Sequence, residues 1–378
     1  MRRAIELFNR GRIKEIIKIM EECYKERYSR QMLFQELGDD GQERLARSKA
    51  AVIGCGALGT VIASGLARAG IGRLVLIDRD VVEWSNLPRQ MLFEEKDVGL
   101  PKAVAAEMHL KAVNSAIEIT GLVTDFNSMT AESLIAEADI VLDGTDNFAA
   151  RFLMNDTCLK LGIPWIYGAV LGATGCSLTI QPDHPPCLRC LMPEPPEAGS
   201  FPSCHQAGVI NPAPGLIGAV EVAETLKVLS GVKTDQRLLE VDLWQRNYRL
   251  MNVSDAARID CPACNGRYDY LNTETGGYSP LYMGEASVQL YDTVKAGRVD
   301  LDKLAGRLSG RGKVCNNGYV LSLRQESRSV YFFTDGRVII RGMDDPAQAR
   351  QLLKDYIGTS RPGQGISGED EGCRAGHE

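Results

Sequence analysis

The sequence predicts an α/β fold: a Rossmann-like, mainly parallel sheet with helices on both faces, a structural zinc site, and a small C-terminal α+β module. Three observations predict it. Apolar strand segments alternate with helical ones from residue 50 to about residue 170. A glycine-rich turn, GCGALG at 54–59, joins the first strand of that series to its first helix. After residue 180 the alternation stops, and two C-x-x-C pairs bracket the stretch from Cys187 to Cys264.

A chain of 378 residues accommodates one large domain and a smaller one. Its 44% hydrophobic and 24% charged residues are those of an ordinary globular protein. A net charge of -6 argues against a phosphate-backbone binder, so nucleic acid is not an expected partner. The longest uncharged run, Ala50 to Ala67, has the length of a membrane span, but Gly54, Gly56, Gly59 and Gly65 make it a strand, a turn and a helix. The N-terminus mixes Arg2, Arg3 and Arg10 with Glu6 and has no export-signal pattern. A cytoplasmic protein without a membrane partner is therefore expected, and its eleven cysteines read as thiols or metal ligands rather than a disulfide framework.

Residues 1–26 read as an N-terminal helical segment, with Ile5, Phe8, Ile13, Ile16, Ile17 and Met20 at helical spacing interrupted by Gly11. Strands AAVIG (50–54) and RLVLID (73–78) flank a helix over roughly 58–69. A helix from Pro101 to about Val113, strand IEITGLV, helix 131–137, strand DIVLDG, helix 148–161 and strand PWIYGAV complete the alternation. Seven prolines (Pro182, Pro185, Pro186, Pro193, Pro195, Pro196, Pro202) then predict a long loop, and loops of that length are often functional. A helix over about 216–229 comes next. Residues 285–358 read as a separate α+β module: helix DLDKLAGRL, strand YVLSLR, strands SVYFF and RVIIR joined through Thr334-Asp335-Gly336, and a last helix from near Pro346. The tail, 359–378, has almost no apolar content and reads as disordered.

In the glycine turn Gly54 permits the tight bend, Gly56 lets a phosphate approach the backbone, and Gly59 lets helix and strand pack closely. Ala57 and the helix start beside it offer free N–H groups and a positive dipole end to an anion. Asp78, ending the second strand, is placed to accept from ribose hydroxyls. This set alone fits ATP and NAD equally. Downstream, VVEWSNLPRQ puts Asn86, Arg89 and Gln90 in one loop, and Lys102 opens the helix after Pro101. An enzyme that brings a carboxylate against an α-phosphate uses such fixed cations to offset the repulsion of like charges. Asp146 and Asn147, in DGTDN, lie at the C-terminal end of the fourth strand, where open α/β sheets bind ligands, and Asp146 suits Mg²⁺ directly or through water.

The ordered set GxGxxG, DxD (Asp78, Asp80), SNLxRQ, GxPK and TDN resembles the ThiF/MoeB/HesA family, whose fold also supplies the adenylation domains of ubiquitin-activating enzymes. The likeness runs from about Arg27 to Tyr270, giving an expected adenylation domain over 27–272. It implies that Asp78 binds ribose, that Asn86, Arg89 and Lys102 contact phosphates, and that Asp146 serves Mg²⁺ and the reacting centre. Asp80, Gln90 and Asn147 belong to the same nucleotide-binding set. Arg30, in RYSRQ, matches an arginine that family members extend across a homodimer interface. Pro88 departs from the glutamine common before the motif's arginine. The implied activity is ATP-dependent adenylation of the C-terminal Gly-Gly carboxylate of a ubiquitin-like sulfur-carrier protein (ThiS/MoaD type). The pathway would be thiamin or molybdenum cofactor biosynthesis, with a sulfur donor such as a cysteine desulfurase as a further partner. Three other readings stand beside it. One is an NAD-dependent oxidoreductase, resting only on the glycine turn and Asp78. A second is the non-catalytic half of a heterodimeric activating enzyme, although such halves lack parts of the cationic set kept here. The third is an adenylyltransferase of the same fold acting on a modified tRNA nucleoside.

Cys187 and Cys190, with Cys261 and Cys264, suit a tetrahedral, closed and therefore structural Zn²⁺ site; two unrelated thiol pairs or a redox dithiol are the alternative. Cys204, adjacent to His205 in the proline-rich stretch, matches the family's candidate catalytic cysteine and equally suits an inert loop thiol. Cys55 reads as part of the nucleotide turn, and Cys23, Cys158, Cys176 and Cys315 as packing residues.

Overall fold

Helices α1 (residues 22–32) and α2 (Gly38–Arg47) lead into β1 (Lys49–Ile53), and from there strands and helices alternate in a computed structural model describing residues 22–197, 204–272, 287–291, 299–343 and 345–357. The series runs α3 (Ala57–Ala69), β2 (Arg73–Asp78), α4 (Lys102–Val113), β3 (Glu118–Val123), α5 (Ala131–Ile135), β4 (Ile140–Asp143), α6 (Phe148–Leu161) and β5 (Trp165–Leu171). After β6 (Thr174–Ile180) come two one-turn helices, α7 (Leu188–Leu191) and α8 (Cys204–Ala207), the long α9 (Pro212–Ser230), and the hairpin β7 (Arg237–Asp242) and β8 (Asn247–Asn252). The eight strands lie in the order β3-β2-β1-β4-β5-β6-β7-β8. The first five pair in parallel and the last three antiparallel.

Side-chain alternation along β1 divides the core. Ala50 and Val52 face a cluster with Leu58, Ile62 and Leu66 of α3, Leu110 of α4 and Ile217 of α9. Ala51 and Ile53 face the other, with Phe152, Met154 and Cys158 of α6 and three of the paired cysteines. Both faces of the parallel strands are covered, which is why those strands read as near-continuous apolar runs.

The C-terminal module is a five-stranded antiparallel sheet in the order β10-β11-β12-β13-β9. Its elements are β9 (Ser287–Tyr291), α10 (Leu301–Leu308), β10 (Lys313–Asn316), β11 (Val320–Arg324), β12 (Ser329–Phe333), β13 (Arg337–Arg341) and α11 (Pro346–Ile357). Leu301, Leu304 and Leu308 of α10 and Leu353 and Tyr356 of α11 cover one sheet face. On the other face Val320, Tyr331, Phe333 and Ile339 pack against Val81 and Val123 of the larger domain.

The alternation from β1 to β5 lies within a residue or two of its sequence expectation. The helix expected over 131–137 ends at Ile135, and the one expected from 216 begins at Pro212, whose fixed φ suits a first helical turn. Strands β6 to β10 have no counterpart in the sequence expectation; β8 is exposed throughout and β10 at best half-buried, so neither carries a periodic signal. The N-terminal segment up to residue 21 and the tail, 359–378, lie outside the described residues. Among the described residues no helix is long and apolar enough to cross a membrane.

Tyr28 and Asn114 form a buried anchor for helix α1. Asn114, fully buried at the end of α4, donates to the Tyr28 hydroxyl at 2.8 Å and to the Ala67 carbonyl at 2.7 Å. The Tyr28 ring lies over Gly70, where a β-carbon would stand 2.5 Å from it. Asn114→Ala strips both acceptors of their donor, so urea unfolding is expected to show a loss of about 2–3 kcal/mol.

Candidate functional site

Because β1 sits between β2 and β4, the chain leaves the C-terminal ends of β1 and β4 side by side, opening the crevice in which such sheets bind ligands. Glycines make that junction possible. Gly54 has φ +87, and a β-carbon on it would stand 2.7 Å from the Gly144 carbonyl oxygen. One on Gly59 would meet the Gly54 oxygen at 1.8 Å, and one on Gly144 would meet the same oxygen at 2.3 Å. Gly56 differs. Its φ of -83 is ordinary, and a β-carbon there would approach nothing described more closely than 3.6 Å. The fold itself does not demand a glycine at 56. A ligand close to the backbone would.

Asp78 braces the turn from β2. Its Oδ2 accepts from the Cys55 amide at 2.6 Å and its Oδ1 from the Asp80 amide at 2.7 Å. Burial raises its pKa, and the nearby Lys102 ammonium works against that rise. Lys102 is buried with Nζ 3.3 Å from Asp80 Oδ2; burial disfavours its charge, but Asp80 and Asp78 outweigh burial and raise its pKa. For Asp80 burial is likewise overcome, by Lys102, Arg79 and Arg341, and its pKa is lowered. Asp80 Oδ1 is buried without a hydrogen-bond partner among the described residues. Asp146 is exposed, yet close enough to favour the charge on Lys102 and Arg79.

The loop after β2 carries the next group. A 3₁₀ turn, Trp84–Asn86, is closed by reciprocal capping: Glu83 accepts from the Asn86 amide, and Asn86 Oδ1 accepts from the Glu83 amide at 3.1 Å. Arg89 Nη1 donates to the Ser85 carbonyl at 2.6 Å. Gln90 is buried, its amide nitrogen 4.0 Å from the place a Gly56 β-carbon would take, and its Oε1 lacks a partner among the described residues. Asn147 Oδ1 accepts from the Ala150 amide at 2.9 Å, capping α6.

The structure therefore gathers Gly54, Gly56, Ala57, Gly59, Asp78, Asp80, Gln90 and Lys102 around one crevice, with Asn86, Arg89, Asp146 and Asn147 on its flanking loops. Arg30 is not among them in the same chain. It lies exposed on α1, whose Tyr28 docks at the C-terminal end of α3, about 20 Å along that thirteen-residue helix from the glycine turn. Cys204 opens α8, next to a stretch whose Gly208 and Ile210 backbones bond Gly172 beyond the C-terminal end of β5; its side chain lies outside the described residues. One supporting residue escaped the sequence reading. Arg151, buried on α6, donates to Asp143 at 2.9 Å, to the Thr145 carbonyl at 2.9 Å and to the Gly168 carbonyl at 3.0 Å. It ties the loop carrying Asp146 to β5. An arginine eight residues beyond an aspartate gives no local signal of that role.

A second cluster lies on the α6 face. The sulfurs of Cys187 and Cys261 are 3.6 Å apart, those of Cys190 and Cys264 3.6 Å, those of Cys187 and Cys190 3.9 Å, and all four lie within 4.8 Å of one another. Arg189, between the first two cysteines, pairs with Asp156 at 3.2 Å and Asp269 at 2.7 Å and lies over the Tyr270 ring.

The family model described as "ThiF family" matches residues 28–263. This chain belongs to the ThiF family. The Sulfur carrier protein ThiS adenylyltransferase of Bacillus subtilis is 38% identical over 336 residues, 88% of this chain and 99% of that protein. The Sulfur carrier protein adenylyltransferase of Thermus thermophilus is 38% identical over 63% of this chain and 90% of its own length. Among solved structures, E. coli MccB with AMPCPP and MccA shares the fold at a TM-score of 0.56 and 24% identity, covering 63% of this chain and 74% of that one.

The ThiF-family chain is accordingly an adenylyltransferase, which removes the oxidoreductase reading and implies ATP as the adenylyl donor. Its four cysteines fit a zinc ion: a tetrahedral Zn–S₄ site has sulfur–sulfur edges of about 3.8 Å, and the cluster's separations bracket that value. Four protein ligands leave no position for a substrate, so such an ion would crosslink residues 187–190 to residues 261–264. The purified chain is expected to hold about one zinc per chain by elemental analysis, and Cys261→Ser to lose it with a drop of roughly 10 °C in melting temperature. A metal-free chain that melts like the zinc-loaded one would contradict the site.

Proposed function

We propose that the enzyme adenylates the C-terminal Gly-Gly carboxylate of a ubiquitin-like sulfur-carrier protein of ThiS/MoaD type. The observation that carries this reading is the extent of the Bacillus likeness. At 88% of this chain it must run into the C-terminal module, whereas the Thermus relative covers 63%. That extent favours a ThiS-like carrier, and so the thiamin branch, over the molybdenum cofactor. The net charge of -6 weighs against a tRNA substrate. The retained Asp78, Asn86, Arg89, Lys102 and Asp146 weigh against a non-catalytic half.

The reaction follows from the crevice. ATP lies across the glycine turn, its phosphates against the Gly56 backbone and the start of α3, its ribose toward Asp78. The carrier's carboxylate oxygen attacks the α-phosphorus; an oxygen–phosphorus bond forms, the bond to the bridging oxygen breaks, and pyrophosphate leaves with that oxygen. Two anions must approach, and Lys102 and Arg89, with Arg30 from a second copy in a homodimer, offset their repulsion. Asp146, an exposed carboxylate just beyond the end of β4, would offer an oxygen donor to Mg²⁺, which would supply countercharge for the phosphates. A sulfur nucleophile then displaces AMP from the adenylate, a carbon–sulfur bond forming at the carbonyl as its bond to the AMP oxygen breaks. The sulfur comes from a cytoplasmic donor such as a cysteine desulfurase, and Cys204 is the proposed thiol for that later step.

Carrier-dependent exchange of radiolabel between pyrophosphate and ATP tests the chemistry. Arg89→Ala and Lys102→Ala are each expected to slow it by about 10²–10³, and near-normal exchange in a folded variant would refute the assigned roles. Gly56→Ala tests where the nucleotide lies. The methyl has room in the protein, so melting should stay within a few degrees of wild type while ATP binding weakens by about tenfold or more; unchanged ATP affinity would move the phosphates elsewhere.

A further inference from the structure

We infer that the C-terminal module forms a wall of the nucleotide site, and that Arg341 on β13 is a positioning residue for ATP. The inference rests on the proposed placement of ATP at the glycine turn, and it gives the module a task in adenylation.

Besides Val123 and Asp125 at the end of β3, the module holds the loop from Arg79 to Pro101 that carries Asp80, Asn86, Arg89 and Gln90. It holds both ends. At the start, Val81, next to Asp80, is packed among Val320, Tyr331, Phe333 and Ile339. Arg337, fully buried over the Phe333 ring, donates to the Arg79 carbonyl at 2.7 Å. At the finish, Asn317 Nδ2 donates to the Gly99 carbonyl at 2.9 Å, three residues before Lys102. The two ends are also bonded to each other, Val82 N to Leu100 O at 2.8 Å and Gly99 N to Val82 O at 2.9 Å. Between them the only regular structure is two single 3₁₀ turns, Trp84–Asn86 and Glu95–Asp97. The position of Asn86 and Arg89 thus depends on what holds those ends.

Arg341 reaches furthest into the loop. Its guanidinium pairs with Glu83, the residue whose backbone carbonyl accepts from the Asn86 amide at 2.9 Å and closes that turn. The two side chains keep only 18% and 22% of their exposure, so the pair is shielded rather than a surface contact. A path of direct contacts runs from β13 through Glu83 to Asn86 and, within the same turn, to the Ser85 carbonyl that anchors Arg89. The Arg341 charge also favours ionised Asp80, the partner of Lys102. Removing Arg341 would leave the adenylation residues in the chain but release the turn that aims them.

Isothermal titration of the full-length chain with ATP reads this directly and needs no carrier, so failure of the carrier reading leaves the test intact. Arg341→Met is expected to weaken ATP binding by about tenfold with melting within a few degrees of wild type, and Arg341→Lys, which keeps the charge beside Glu83, to recover most of the loss. In exchange assays the KM for ATP should rise while that for the carrier stays constant. ATP affinity within twofold of wild type in folded Arg341→Met would overturn the proposal, as would a loss that lysine does not restore. If Arg341→Met does not fold, Glu83→Gln breaks the charge pairing from the loop side. It is expected to weaken ATP by about threefold, and unchanged affinity there would likewise overturn it.

Discussion

Two backbones in contact, at Gly54 and Gly144, decide where every other group of the site can stand. A β-carbon on either glycine would lie under 3 Å from the other's carbonyl oxygen, so the loops after β1 and β4 meet only because both residues lack one. Each loop is then braced by a buried carboxylate from the strand end beside it. Asp78 accepts from the Cys55 amide inside the glycine turn, and Asp143 accepts from Thr145 through both its amide and its hydroxyl. Burying two carboxylates is costly, and a cation relieves each: Lys102 near Asp78, Arg151 bonded to Asp143. The rigid crevice and its charges are therefore one construction.

What the sequence disclosed depends on how that construction is spread along the chain. The glycine turn, the DxD pair, the SNLPRQ loop and the Pro101-Lys102 helix start are each local, and each announces itself through turn chemistry or helix-start chemistry. The parallel strands were legible because burial on both faces demands unbroken apolar runs. The antiparallel end of the sheet was not. All six residues of β8 are exposed, and in the smaller sheet the four of β10 are at best half-buried, so neither shows the alternation that marks a half-buried strand. Arg151 and Arg341 were invisible for another reason: their partners are chosen by the tertiary fold, eight residues away in one case and beyond 250 in the other.

The same limit explains why residues 285–358 read as a detached module. Its own core is complete, with α10 and α11 covering one sheet face, and a self-sufficient core is what periodicity can reveal. The second face carries a small apolar group, Val320, Tyr331, Phe333 and Ile339, beside the buried Arg337, and finds its complement in Val81 and Val123, one on either side of the nucleotide loop and α4. Nothing in the module's own sequence distinguishes that face from an ordinary two-sided sheet.

A buried ammonium proposed to meet a polyanion must be kept charged in the meantime. Lys102 sits out of water before any phosphate arrives, and desolvation alone would favour its neutral form. Asp80 prevents this at 3.3 Å, with Asp78 behind it, while Arg79 and Arg341 keep Asp80 itself ionised. The arrangement is an alternation of charges in which no member is left uncompensated, although one oxygen of Asp80 remains without a hydrogen-bond donor among the described residues. Under the proposed placement of ATP, a triphosphate entering the crevice would compete with Asp80 for the same ammonium, so the lysine would exchange one anionic partner for another and its charge need not be created at the moment of binding. That exchange is cheap only if the carboxylate it leaves behind still has cations beside it. Arg79 from the end of β2 and Arg341 from the far module meet that condition from two sides, which gives the second domain a physical reason to lie against this loop.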